Sequence, residues 1–416
     1  MNPRVPAAAP AAPVSGTGRR PHADRSRTAR ALTAACAAGL LALLPATPAR
    51  ADAIRDQQWA LAALHTDQAW RTTKGGGITV AVLDTGVDDS HPDLAGRVLP
   101  GKDLVGFGAR PGDKAWALHG TAMAGIIAGR GNGPGQSDGV LGIAPEAKIL
   151  PVRVILESTD ASRAKARTSR GTALADGIRW AADHGADVIN LSLGDDSKSA
   201  HADASEDNAI QYALAKGVSV VASAGNSGEK GDSASYPAAY PGVIAVAAVD
   251  KYGTHASFST RRWYATVSAP GVDIVVANPD RHYYIEWGTS AAAAFVSGAV
   301  ALVRAAHPAL TPAQIKTLLA ETARDAPAGG RDDTRGYGIV DPAAAIEGAG
   351  AAALADSKAA PAGYGKKYFG AGPDPGTGDG GADAWAAPAA GVAGVLFLAT
   401  AVVLWRGRRR PGRTSG

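Results

Sequence analysis

The chain of 416 residues has a single cysteine, Cys36. It lies in an apolar stretch near the N-terminus whose flanks mark it for removal. A processed chain would then hold no thiol, which excludes both a disulfide framework and a thiolate nucleophile. No His, Cys and Asp stand at metal-ligand spacing, so no metal and no other cofactor is expected. There is no internal repeat. Charge is sparse, at 19% of residues, and the basic excess sits at the two ends. Residues 1–51 carry seven Lys and Arg against one Asp, and residues 405–416 carry five Arg and no acid. Subtracting those +6 and +5 from the net +4 leaves −7 for everything between them. The pI near 9.1 therefore belongs to the ends, and no nucleic-acid partner is expected. Basic ends beside apolar runs are what membrane targeting requires.

Long apolar runs are also few. Ala31 to Leu44 spans about 14 residues, short of the roughly 20 that cross a bilayer. Arg19, Arg20, Arg25, Arg27 and Arg30 precede it, and Ala49-Arg50-Ala51 supplies small residues for cleavage. Residues 1–51 read as a signal peptide, with Asp52 the expected new N-terminus. The second run, Ala389 to Trp405, has 17 uncharged residues, the lower limit for a span. Arg406, Arg408, Arg409 and Arg410 follow at once, and Trp385 and Trp405 stand where interfacial aromatics belong. A buried core helix would need a domain to bury it, and only a short tail follows. The expectation is a transmembrane helix over 388–405 with a basic cytoplasmic tail, 406–416. Residues 349–387, rich in Ala, Gly, Pro and Asp, read as a flexible stalk. The chain would cross the cell membrane once, with its main domain outside the cell.

Residues 77–348 alternate apolar runs with helical patterns. The spacing predicts strands at 78–83, 148–154, 187–193, 218–223 and 243–249, rich in Val and Ile and apolar on both faces. It predicts helices at 172–184, 205–216, 290–306 and 312–322. The last carries Thr311, Pro312 and Gln314 in capping-box positions. Such alternation gives an α/β class with a mostly parallel sheet and helices on both faces. Ligands in such sheets bind at the carboxyl ends of the strands. Asp84 ends the first strand, Asn226 follows the fourth, and His119 and Ser290 each open a helix.

These four residues suggest one chemistry. A serine becomes a nucleophile when a histidine takes its proton, and a carboxylate fixes that histidine's tautomer. Ser290, at a helix N-terminus, is the candidate nucleophile; His119 is the base and Asp84 its partner. Asn226 could donate to the oxyanion of a tetrahedral intermediate, with the Ser290 N–H as second donor. Each alone has an ordinary structural reading: a helix N-cap for Ser290, a satisfied core histidine for His119, turns for Asp84 and Asn226. Asp88, Asp89 and Asp93 lie nearby, but only Asp84 is at the strand end. Glu157 to Arg170 is polar and reads as an exposed loop, an inert one by preference.

The stretches Val80-Ala-Val-Leu-Asp84-Thr-Gly86, His119-Gly-Thr-Ala-Met-Ala-Gly125 and Gly288-Thr-Ser290 through Gly298 resemble the subtilases, in their order of Asp, His, Ser. The resemblance covers about residues 65–346. It implies the subtilisin-like three-layer fold and serine endopeptidase activity on a polypeptide substrate through an acyl-enzyme. It implies peptide-binding segments Ser192-Leu193-Gly194 and Ser223-Ala224-Gly225, with Ser235 at the floor of the S1 pocket. Some subtilases hold structural calcium, which nothing here indicates. Subtilases usually have Met after the nucleophile and Pro four positions after it; this chain has Ala291 and Ala294. That affects the fit beside the nucleophile, not the triad.

Only about 25 residues separate Asp52 from the first strand, too few for the long folding propeptide of many subtilases. The short extension with Trp59 and His65, the stalk, the anchor and the Arg tail resemble the mycosins, membrane-anchored subtilases associated with type VII secretion in actinobacteria. That resemblance implies processing of a secreted protein beside a secretion membrane complex. The alternatives are a general surface subtilase, and a structural subunit of the channel with proteolysis secondary.

Overall fold

The computed structural model describes residues 53–352. The expected signal peptide, most of the stalk, the membrane helix and the basic tail lie outside the described residues.

Eleven strands are described: β1 (Thr79–Asp84), β2 (Lys102–Asp103), β3 (Arg130–Asn132), β4 (Asp138–Leu141), β5 (Lys148–Arg153), β6 (Val188–Leu191), β7 (Ser219–Ser223), β8 (Ile244–Val249), β9 (Ala265–Pro270), β10 (Ile274–Ala277) and β11 (Tyr283–Glu286). Seven form one sheet in the order β2-β5-β1-β6-β7-β8-β9, and every pairing in it is parallel. β3–β4 and β10–β11 are separate antiparallel pairs. The five expected strands are present, each within two residues of its expected ends. β2, β9 and the two small pairs escape sequence reading. They are short, or, like β9 with its Thr266, Ser268 and Pro270, lack the Val/Ile signature.

The chain winds from β1 out to β2 and β5, then returns past β1 to β6. β1 is thus the switch point, and a ligand crevice belongs at its carboxyl end, where Asp84 stands. Side chains of β1 alternate between two apolar clusters, Val80 and Val82 in one, Ala81 and Leu83 in the other. The first cluster is filled by the histidine helix, Leu118–Ala128, and the serine helix, Thr289–Ala306. The second is filled by helices Ala173–Asp183 and Ala204–Ala215. These are the three layers. The expected capping box at Thr311 is present, opening helix Pro312–Glu321.

Among the described residues one helix, Thr289–Ala306, is long and apolar enough to cross a membrane. It is the serine helix, 78% buried, so its hydropathy serves the core. The final helix, Pro342–Ala352, runs past the expected domain end at 348. Ala349 is fully buried there, and alanine favours helix over stalk.

The N-terminal extension is part of the domain. Ala60, Leu61, Leu64 and Ala69 enter the first cluster. Trp59 Nε1 donates to Asp273 O at 3.1 Å, and Trp70 Nε1 to Ile143 O at 2.8 Å. Gln58 trades two 2.9 Å bonds with the backbone of Leu141, like an added strand residue. The Arg55 guanidinium donates to three carbonyls of the β3–β4 turn, those of Gly139 and Gln136 at 3.0 Å and Asp138 at 3.3 Å.

Candidate active site

The histidine helix approaches β1 very closely. A Cβ on Gly120 would sit 1.9 Å from the Gly86 carbonyl oxygen and 3.2 Å from Asp84 Cβ. Glycine after His119 is therefore a packing requirement, and it brings the two side chains together. His119 Nδ1 lies 2.9 Å from both Asp84 Oδ1 and Asp84 Oδ2. Asp84 is fully buried, and Oδ1 also accepts the Thr85 N–H at 2.7 Å. A carboxylate accepts, so Nδ1 carries a proton, and once the ring is neutral the Nε2 lone pair is free for a substrate or nucleophile.

The serine helix seats just as tightly midway along its length. A Cβ on Gly298 would meet Ile143 Cγ2 at 1.9 Å. Ser290, in the first turn, is half-buried. Its Oγ donates to Ser192 O at 3.1 Å, and Ser192 Oγ donates back to Ser290 O at 2.9 Å. Behind them, the fully buried Asn190 donates to Ser192 Oγ at 3.0 Å and accepts from Ser297 Oγ at 2.9 Å. This network ties β6 to the serine helix. Sequence reading passed over Asn190. The signal was an amide inside the apolar strand Val188–Leu191, which burial obliges to find partners.

Asn226 Oδ1 accepts two bonds from Thr289, from N and from Oγ1, both at 3.0 Å. Its oxygen is thereby committed, and Nδ2 is left facing the cleft. A Cβ on Gly288 would lie 3.7 Å from Ser290 N and 3.9 Å from Asn226 Nδ2. Glycine keeps open the space between these two donors, which suits a developing oxyanion. The N-terminal dipole of the serine helix favours negative charge there too.

A cleft of about 800 Å³ holds His119, Asn226 and Ser290 together. Ser192, Leu193, Gly194, Ser223, Gly225 and Ser235 also line it. Ser235 is 1% exposed, and its Oγ has no hydrogen-bond partner. Ala224 does not join the lining. It is fully buried, its N–H donates to Val246 O at 2.9 Å, and its carbonyl accepts from Tyr264 Oη at 3.0 Å. Two of the aspartates near Asp84 in sequence have structural partners: Asp93, fully buried, accepts from Asn132, Val140 N and Tyr283, and Asp88 caps Ser90, while Asp89 is exposed.

Two carboxylates beyond Asp84 surround His119. Glu157 Oε1 accepts the His119 backbone N–H at 2.9 Å, and Glu286 comes from β11. Burial pulls the His119 pKa down. The charge and hydrogen bond of Asp84, with the charges of Glu286 and Glu157, outweigh it and raise the value to about 9. Burial also raises the Glu286 pKa, Asp84 and Glu157 add to the rise, and His119 opposes it. The expected exposed loop over 157–170 is exposed over most of its length, but Glu157 is only 8% exposed, and residues Arg163–Ser169 form a helix rather than a loop. A charged side chain read as solvated is instead satisfied by a helix N-terminus.

Ser290 Oγ rests on Ser192 O; a working triad requires it to leave that carbonyl for His119 Nε2. From there the base can take the hydroxyl proton while Oγ attacks a carbonyl whose oxygen faces Ser290 N and Asn226 Nδ2. The Subtilase family model matches residues 75–338, a span that contains all four residues. The chain belongs to the subtilase family. This subtilase is 44% identical over 242 residues to the thermophilic serine proteinase of Bacillus sp. (strain AK1), covering 58% of this chain and 55% of that protein. It is 38% identical over 320 residues to fervidolysin of Fervidobacterium pennivorans, covering 71% of this chain and 44% of fervidolysin. The chain thus spans about half the length of these curated relatives. Among solved structures, MycP1 from the ESX-1 type VII secretion system matches with a TM-score of 0.60 at 31% identity, covering 73% of this chain and 88% of MycP1.

Proposed function

We propose that this subtilase is a membrane-anchored serine endopeptidase, with Asp84, His119 and Ser290 as triad and Asn226 as oxyanion donor. The observation that carries the reading is the double 2.9 Å contact of His119 Nδ1 with buried Asp84, in the cleft that also holds Ser290. An extended peptide would lie between Ser192–Gly194 and Ser223–Gly225, pairing with their backbone. The uncharged run 389–405 before four arginines supports a C-terminal anchor with the catalytic domain outside. The likeness to MycP1 from a type VII secretion system supports a polypeptide substrate that is itself secreted, met at a secretion membrane complex. A second reading, a surface protease of broad range, is supported by the likeness to the solved structure of fervidolysin, a keratinolytic enzyme, which at 34% identity and a TM-score of 0.60 matches about as well as MycP1 does. Comparing the proteins released by cells carrying the wild-type chain or Ser290→Ala separates the two. One or a few uncut secreted proteins in the variant support the processing role. Broad loss of peptide turnover supports the second reading, and no change in either contradicts both.

A further inference from the structure

We propose that Glu157 is a positioning residue for the general base: its buried carboxylate caps the His119 N–H, and the arm carrying it braces the Asp84–His119 pair. The inference rests on reading Asp84, His119 and Ser290 as the working triad.

The histidine helix has no cap of its own. Its N-cap, Ala117, is left-handed at φ 52° and offers no side-chain acceptor, while the first N–H groups of any helix need partners. The Gly120 N–H finds Thr85 Oγ1 at 3.1 Å, and the His119 N–H takes its partner from 38 residues away, Glu157 Oε1 at 2.9 Å. A carboxylate 8% exposed is costly unless it is bonded, so cap and carboxylate satisfy one another.

The same arm also holds Asp84. Val154 N and Ile155 N both donate to Asp84 O, at 2.9 and 3.3 Å. Only Leu156 therefore separates the last N–H gripping the Asp84 backbone, that of Ile155, from the carboxylate gripping the His119 backbone. The arm is fastened beyond that point. Asp160 N donates to Glu157 O at 3.1 Å, the Arg163 guanidinium donates to Leu156 O, and Asp160 Oδ2 accepts Ala109 N at 2.7 Å. The root of segment 157–170 is thus coupled to the base, while its far part, from Arg167 to Arg170, lies exposed.

Three carboxylates act electrostatically on the imidazole: Asp84 from β1, Glu157 from the arm and Glu286 from β11. The cation nearest in sequence on the arm, Arg163, is bound to the Leu156 carbonyl. Removing the charge of Glu157 while keeping its acceptor weakens proton binding at His119. Removing the acceptor as well frees the His119 N–H, leaving the helix N-terminus held by Thr85 at Gly120 alone.

The test uses the full-length chain and the pH dependence of its labelling rate by a fluorophosphonate, for wild type, Glu157→Gln, Glu157→Ala and Ser290→Ala. Glu157→Gln should keep the plateau rate within about 3-fold and move the ascending limb down by about half a pH unit. Glu157→Ala should move the limb the same way and lower the plateau about 10-fold or more, as misplacing a catalytic group does. The glutamine variant, which retains the cap, also covers any failure of the alanine variant to fold. Wild-type limb and plateau in both variants overturn the proposal, as does an equal plateau loss in both with the limb unmoved. Labelling of Ser290→Ala at the wild-type rate sinks the triad itself, a failure distinct from that of Glu157.

Discussion

Asp84, His119 and Asn226 each have one hydrogen-bonding face already committed, and that decides what the other face can do. Asn226 is the clearest case, because its oxygen is held twice by Thr289. Asn226→Ala should lower kcat by on the order of 10²–10³ with KM little changed, the size of the effect in subtilisin itself. Asn226→Asp keeps both Thr289 bonds but turns an acceptor on the oxyanion, so its loss should be at least as large; steady-state kinetics on one peptide reads both. A milder aspartate variant would make Asn226 structural only. For His119, the neutral ring is the base, so activity should climb as pH rises through its folded value of about 9. Glu286→Gln should bring that limb to lower pH, and a limb that does not move would remove Glu286 from the account. Linkage has the opposite sign: the charged ring stabilises the fold below an unfolded value of about 6.5, and that contribution is lost as pH passes about 9. Asp84, His119, Ser290 and Asn226 were legible because short glycine-bearing motifs surround them. Glu157 was not, because a lone glutamate in a polar run looks solvated until the fold brings a helix end to it, nor was Glu286, whose short strand β11 only the fold carries toward His119.

At the scale of elements, the site is built by two close approaches, Gly120 against Gly86 and Gly298 against Ile143. The first meets a backbone carbonyl that cannot step aside. Gly120→Ala should cost at least the ~1–3 kcal/mol of ordinary overpacking and lower the melting temperature by more than about 4 °C. An unchanged melting curve with full activity would mean that the approach is looser than described. The Arg55 clamp makes a milder prediction. Arg55→Met should speed hydrogen exchange across residues 130–141 while leaving peptide turnover near wild type; unchanged exchange would show that the turn stands without the clamp. The apolar central strands and the capped helix at Thr311 were readable from periodicity and capping chemistry. The two-residue β2 and the small hairpins carry too few residues for a period, and only tertiary pairing defines them. The extension from Arg55 to Trp70 is short and mixed in character. Nothing local announced that its tryptophans and Arg55 would reach backbone carbonyls up to about 200 residues away.

At the scale of the whole molecule, a subtilase domain sits between two basic, apolar ends. If residues 388–405 anchor it, ending the chain before Pro388 should move peptide hydrolysis from the membrane fraction to the soluble fraction with the rate per molecule unchanged. Activity that stays with the membrane would place the attachment elsewhere. The most direct test of the central claim is covalent. The full-length chain is treated with a fluorophosphonate at pH 9, digested, and the adduct located by mass spectrometry, with Ser290→Ala and His119→Ala in parallel. The account predicts a single adduct on Ser290 in the wild type, none in Ser290→Ala, and labelling slowed by several orders of magnitude in His119→Ala. An adduct on another serine, or equal labelling of Ser290 without His119, would contradict it.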